Sequence, residues 1–168
     1  MPKIIENLPQ RLMEEALHQI RQDGYSAMTI RSVAKACGVG VGTVYNYYPS
    51  KDALVAAFML EDWQQCMAAI CDCSQRSDTA EPVLRSMYDN LAAFSSRYES
   101  IFRDEAAMVG FSASFSRYHS ILRDQLSAPL QKFFSDPFPP SFIAEAMLVW
   151  TVSGTEFHQI FSLIQKLL

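Results

Sequence analysis

The sequence predicts an all-α fold in which a small N-terminal domain, residues 1–50, is joined by a fourth helix to a larger helical domain over 51–168. Three observations lead there. Apolar residues recur at three- and four-residue spacing, and strand-like alternation is missing. Glycine and proline fall in punctuating places. Apolar residues make up 49% of the chain and charged ones 19%, which suits a packed core better than disorder.

Leu8, Leu12, Ala16, Leu17 and Ile20 share one face of a first helix over about 8–22, and Gly24 follows where a left-handed C-cap costs little. Tyr25 and Met28 bridge to Thr29, an N-cap for a second helix with Ile30, Val33, Ala34 and Cys37 inward. Gly38-Val39-Gly40 is a tight turn into a third helix through Thr43-Val44-Tyr45-Asn46-Tyr47-Tyr48, which Pro49 ends. Ser50 caps a fourth helix from Lys51 to about Cys73, and Ser74–Thr79 reads as a loop. Pro82 sits in the first turn of a fifth helix reaching about Tyr98, and a short sixth spans about Ile101–Met108. A seventh helix covers about 111–134, with Pro129 kinking it or splitting off its last turn. Asp136-Pro137-Phe138-Pro139-Pro140 reads as a hard break before one last helix, 141–168.

The net charge of −4 is unevenly placed. Residues 1–51 hold six basic and four acidic side chains, a balance of +2, whereas the other 117 residues carry −6. A basic head on an acidic body suits a chain whose one end meets phosphates. The most apolar stretch, Ala146–Leu163, is broken by Glu156 and His158, so no membrane span is expected. With no signal peptide evident, a cytoplasmic location is expected. Cys37, Cys66, Cys71 and Cys73 read as buried or incidental thiols, with a redox sensor as the alternative. Cys71-Asp72-Cys73 lacks zinc-clip spacing, and neither a metal site nor a cofactor is expected. Catalysis is not expected either. Neither paired carboxylates nor a Ser-His-Asp set is apparent, and Gly38-Val39-Gly40-Val41-Gly42 lacks the lysine of a phosphate loop.

Residues 29–48 carry the decisive pattern. Two helices around a glycine turn form a helix-turn-helix, with Val33, Ala34, Val39, Val44 and Tyr48 spaced to pack together. Val44 and Tyr48 inward leave Val41, Thr43, Tyr45, Asn46 and Tyr47 outward or sideways. Exposed aromatics on so short a helix suit contact with a nucleic-acid backbone, since tyrosine and threonine hydroxyls donate to phosphate oxygens. The alternative is a helix-turn-helix reused for packing, which leaves Thr29, Lys51 and the basic head without a role.

Gly24-Tyr25, the run Thr29–Val39, and the run Gly42–Leu54 with its Tyr47-Tyr48-Pro49-Ser50-Lys51 centre closely resemble the DNA-binding domain of the TetR family of bacterial transcription regulators. The resemblance covers roughly residues 8–58. It implies a homodimer that binds a palindromic double-stranded DNA operator, most often as a repressor released by a small molecule in the C-terminal domain. It also implies residue roles. Thr29 matches a phosphate contact at the start of helix two; Thr43, Tyr45, Asn46 and Tyr47 match backbone contacts; Gly40, Val41 and Gly42 match the positions nearest the bases; Lys51 matches a phosphate-binding lysine. Arg31 is a reasonable further backbone contact. Many relatives have serine at Gly40 and a basic residue near Val41. Base discrimination is therefore expected from Val41 and the Thr43 methyl against thymine, and from Asn46 against adenine.

The C-terminal two thirds resemble the family only in being helical and of suitable length. Met59, Trp63, Met67, Met87, Phe94, Phe111, Phe115 and Trp150 are candidates to line an effector pocket, with an ordinary core as the plainer reading for each. His119 could supply a polar contact there or pair within the core. The last helix is apolar on more than one face, and a second face wants a partner. Helices seven and eight, about 111–134 and 141–168, are expected to form the homodimer interface, with Ser153-Gly154 a point of close approach. A body that receives a protein co-activator, making the chain an activator, is the alternative.

Overall fold

A computed structural model of the chain describes residues 6–105, 107 and 119–166. It contains α-helices and one 3-10 segment, and among the described residues no strand. The helices are α1 (Leu8–Asp23), α2 (Ile30–Cys37), α3 (Val41–Tyr47), α4 (Lys51–Arg76), α5 (Ala80–Arg97), α6 (Glu99–Phe102), α7 (helical over 119–127), α8 (Phe138–Val152) and α9 (Phe157–Ile164). They divide between two compact units. The first holds the described residues to Glu61 together with those from Tyr98 to Ala107; the second holds Asp62–Arg97 together with those from His119 onward.

In the first unit α2 packs on both α1 and α3, and α6 packs on α1. Leu12, Ala16, Ile20, Val33, Ala34 and Val44 are buried at their junction, each shedding water from an apolar side chain. Gly24 and Gly38 both take positive φ, at 90° and 70°. Gly38 closes α2 in a Schellman arrangement: its N–H reaches the Lys35 carbonyl at 3.2 Å, and that of Val39 reaches Ala34 at 3.0 Å. A side chain at that φ would be strained, so the glycine fixes how sharply the chain turns into α3. The Ser50 hydroxyl accepts the Ala53 N–H at 3.0 Å and starts α4.

In the second unit α5 packs on α8, α9 and the 3-10 segment Ala128–Phe133, and α8 packs on α9. Trp63, Ile70, Leu84, Met87, Leu91, Leu126, Leu130, Ile143 and Met147 belong to one core. The backbone change that Pro129 implies is present, because the α-helix of 119–127 gives way to 3-10 geometry at Ala128.

Three expectations are corrected. The helix of 51–73 runs on to Arg76, because the buried Ser74 hydroxyl donates to the Pro129 carbonyl at 2.6 Å and the Lys132 ammonium donates to the Ser74 and Ser77 carbonyls. The prolines after Asp136 begin a helix instead of breaking the chain. Pro139 and Pro140 lie in the first turn of α8, where a missing N–H leaves nothing unsatisfied. The last helix is not continuous. Gly154 adopts a φ of 82°, Ser153 and Thr155 leave the helix, and α9 restarts after Glu156.

Candidate nucleic-acid interface

The candidate face begins at the turn before α2. Thr29 has extended backbone and closes a capping box: its hydroxyl oxygen accepts the Ser32 N–H at 3.0 Å, while Ser32 Oγ accepts the Thr29 N–H at 3.1 Å. Ser32 in turn donates to Gln19 of α1 at 2.6 Å. Thr29 is exposed but its backbone is fixed from both sides.

Recognition-type geometry on α3 follows from one residue. Val44 is wholly buried, so the helix turns its other edge outward, and Tyr45 and Tyr47 keep 50% and 49% of their surface in water. Asn46, Gly42 and Gly40 are exposed beside them, and Val41 and Thr43 are half-buried. Tyr48 is half-buried, its hydroxyl donating to the Pro9 carbonyl at 3.3 Å. Burial pushes its phenol pKa up. One tyrosine therefore serves packing and two stand free of the core.

Lys51 starts α4 half-buried, and its ammonium lies 4.0 Å from the centre of the Tyr25 ring while donating to the Tyr25 carbonyl. The Tyr25 hydroxyl donates to Asp52. Burial, then the Asp52 acceptor, holds the Tyr25 phenol far above its ordinary range. Burial lowers the Lys51 pKa, against the opposing pull of Asp104 and Asp52. An ammonium has three N–H groups, so the bond to Tyr25 leaves donors for a phosphate. Arg31 and Lys35 are exposed on α2.

In the sequence Tyr25 stands out as a bridge and as part of the Gly24-Tyr25 match, and Ser32, Asp52 and Asp104 carry no assigned role at the site. Serine three residues after Thr29 was a legible capping signal. The Tyr25–Lys51–Asp52 cluster joins residues 26 and 27 positions apart, and no local pattern announces it.

The effector candidates are scattered. Met59 is half-buried in the first unit, while Trp63 and Met87 are buried in the core of the second, with Met67 and Phe94 packed against it. Trp63 meets Phe94 edge-on at 5.7 Å and donates to Gln125 at 2.6 Å. His119 pairs with Glu145 at 2.8 Å. Trp150 keeps 55% of its surface in water and lies outside this group. Phe111 and Phe115 lie outside the described residues. An open cleft of about 350 Å³ is lined by Thr79, Ala80, Glu81, Phe133, Phe161 and Gln165, none of them among the effector candidates. Among the described residues no group of three His, Cys, Asp or Glu could hold a metal, and no helix is long and apolar enough to cross a membrane. All four cysteines are free thiols; burial pushes those of Cys37 and Cys66 up.

Comparison with known proteins covers the same region. Residues 12–58 match the family described as bacterial regulatory proteins, tetR family. The chain is 26% identical over 84 residues to the HTH-type transcriptional regulator YuxN of Bacillus subtilis, covering 48% of this chain and 29% of YuxN. It is 28% identical over 58 residues to UidR, an HTH-type transcriptional regulator of Escherichia coli, covering 34% of this chain and 30% of UidR. The matched part thus spans less than a third of these relatives. Salmonella enterica GusR shares the fold with a TM-score of 0.69 at 17% identity, over 90% of this chain and 84% of GusR.

Proposed function

We propose, from the match of residues 12–58 to the tetR family of bacterial regulatory proteins, that the chain is a sequence-specific transcription regulator of that family, a repressor that binds a palindromic operator as a homodimer in the cytoplasm. The observation that carries the reading is α3, where a wholly buried Val44 presents Tyr45, Asn46 and Tyr47 to solvent beside exposed Gly42. Tyrosine hydroxyls at that edge suit phosphate oxygens, and Thr29, Arg31 and Lys51 add contacts from neighbouring elements. Thr43 and Val41 offer apolar surface to thymine methyls, and Asn46 offers a bidentate partner to adenine. Gly40 and Gly42 carry no side chain, so backbone can approach the base edges closely.

The homodimer is assigned to the C-terminal unit. Phe138, Phe142, Val149, Trp150 and Val152 of α8 are all exposed, as is Leu163 of α9, a concentration of apolar surface that favours a partner. A second copy supplies that partner and gives the two-fold symmetry a palindrome needs, with half-sites about 34–36 Å apart. A small molecule bound in the same unit would act through α4, which is covalently continuous from Lys51 to Arg76 and belongs to both units. Changing the spacing of the recognition helices would lower operator affinity, typically by about 1–3 kcal/mol for such coupling.

A second reading, a C-terminal unit that receives a protein co-activator, draws on the same exposed apolar side chains and on Trp63 and Met87 being consumed by the core. Sedimentation at micromolar concentration separates them, since a chain that stays monomeric with its operator bound contradicts the homodimer. The DNA-binding claim is tested by selecting sites from randomised duplexes, and enrichment of no sequence contradicts it.

A further inference from the structure

Asp104 lies two residues beyond α6 and 78 positions from Ser26, yet its carboxylate accepts the Ser26 N–H at 3.3 Å and the Ser26 hydroxyl at 3.0 Å. The same carboxylate accepts the Ala107 N–H at 3.1 Å, which anchors it on its own side. α6 itself is well seated. Ile101 is buried, α6 packs on α1, and Tyr98 at its start stacks on Phe58 of α4 with ring centres 5.8 Å apart.

The preceding residue, Tyr25, is tied elsewhere. Its carbonyl and ring are held by Lys51 and its hydroxyl by Asp52. Two neighbouring residues of one turn are therefore bound to two different elements, Tyr25 to the start of α4 and Ser26 to the end of α6. That turn leads directly into the α2 cap, with the Met28 N–H returning to the Gly24 carbonyl at 3.4 Å and Thr29 following.

We propose that Asp104 is a positioning residue for the nucleic-acid face: by holding Ser26 it sets where Thr29 and the first turn of α2 stand relative to Lys51. This rests on the DNA-binding reading above. A carboxylate suits the task because one group accepts from amide and hydroxyl together, and hydrogen bonds to charged acceptors are the stronger kind. Ser26 is exposed, so each bond contributes little to global stability. Its effect is on the placement of a turn that Lys51 and Asp52 already hold from the opposite side.

The test uses the full chain as Ser26→Ala, Asp104→Ala, Asp104→Asn and the Ser26→Ala/Asp104→Ala pair. Ser26→Ala changes no charge and so separates positioning from the removal of a carboxylate that repels DNA. Hydrogen exchange read residue by residue should quicken at residues 26–30 in both alanine variants, with the melting midpoint moved by no more than about 2 °C. Affinity for the selected operator should fall about fivefold for Ser26→Ala, the lower end of a net hydrogen bond's worth in each of two protomers. The slope of affinity against salt should be unchanged, because every protein cation is kept. The double variant should be no worse than the single ones, and asparagine, which keeps an acceptor, should recover part of the affinity. Unchanged exchange at 26–30 overturns the proposal, as does faster exchange with wild-type operator affinity. A wild-type chain that selects no DNA overturns the DNA-binding reading itself; the failure of Asp104's role is distinct, because it appears only against a wild type that binds.

Discussion

Replacing Lys51 with methionine removes the charge and the three donors while keeping most of the stem that lies against Tyr25. The structure gives the lysine two jobs, and they have different readouts. In the free protein its ammonium donates to the Tyr25 carbonyl and lies 4.0 Å from the ring centre. A charged hydrogen bond nets about 1.5–3 kcal/mol and a cation–π contact about 0.5–1 kcal/mol. Lys51 is half in water, which screens both, and burial lowers its pKa, so desolvation of the ammonium opposes these gains. A net loss of no more than about 1 kcal/mol is expected, seen as a lower denaturant midpoint with unchanged slope. The second readout is operator affinity measured by anisotropy across a salt series. Every phosphate that the protein no longer neutralises lowers the log–log slope by about 0.9, so a dimer, with two lysines replaced, should show a slope smaller by about 1.8. Lys51→Arg should preserve the slope. If stability falls but the slope stays, the lysine is a clamp only and its phosphate role is wrong. If the slope falls but stability stays, the bond to Tyr25 does not hold the turn.

Other perturbations separate packing from contact in the same way. Val44→Ala should cost about 2 kcal/mol of stability, because the side chain is wholly buried between α2 and α3. Tyr45→Phe and Tyr47→Phe should each change stability by less than about 0.5 kcal/mol yet weaken operator binding about thirtyfold, as removal of one phosphate hydrogen bond in each of two protomers requires. Phe142→Glu, at a position half in water on α8, should leave the melting midpoint of the protomer intact while sedimentation shows only monomer at micromolar concentration. For Tyr25 the sign with pH is definite. Its phenol pKa is raised in the folded chain, so above the ordinary value near 10 the unfolded chain releases a proton that the folded one keeps. The stabilisation is complete below pH 10 and is lost as pH rises beyond it. Denaturant midpoints at pH 9 and 10.5 should therefore diverge more for the wild type than for Tyr25→Phe, and equal divergence would refute the assignment.

Local signals made the N-terminal half legible. Thr29, Gly24, Gly38 and Ser50 act within a few residues of where they stand, and the apolar faces of α1 and α2 follow a single period. What escaped was tertiary. The last turn of α4 forms because Ser74 and Lys132, 58 positions apart, satisfy carbonyls across the second unit. Trp150 looked like a pocket residue because α8 is apolar all round. Only packing shows that Pro140, Ile143, Ala144, Met147 and Thr151 take the core side and leave Trp150 to solvent. Ser153-Gly154 reads in the sequence as a point of close approach, and the structure adds that the positive φ of Gly154 ends α8. At the candidate interface the outward residues of α3 were readable from Val44 and Tyr48. The cluster around the turn before α2, Tyr25 with Lys51 and Asp52 and Ser26 with Asp104, joins distant positions and has no local pattern.

The central claim, that this face reads DNA as a two-fold dimer, is tested most directly by selecting duplexes from a randomised pool with the purified chain and titrating the best one at two salt concentrations. Enrichment of a palindrome whose half-sites lie about one helical turn apart, with affinity falling steeply as salt rises, is the predicted result. Binding without sequence enrichment, or enrichment of a single half-site by a monomer, would contradict the account.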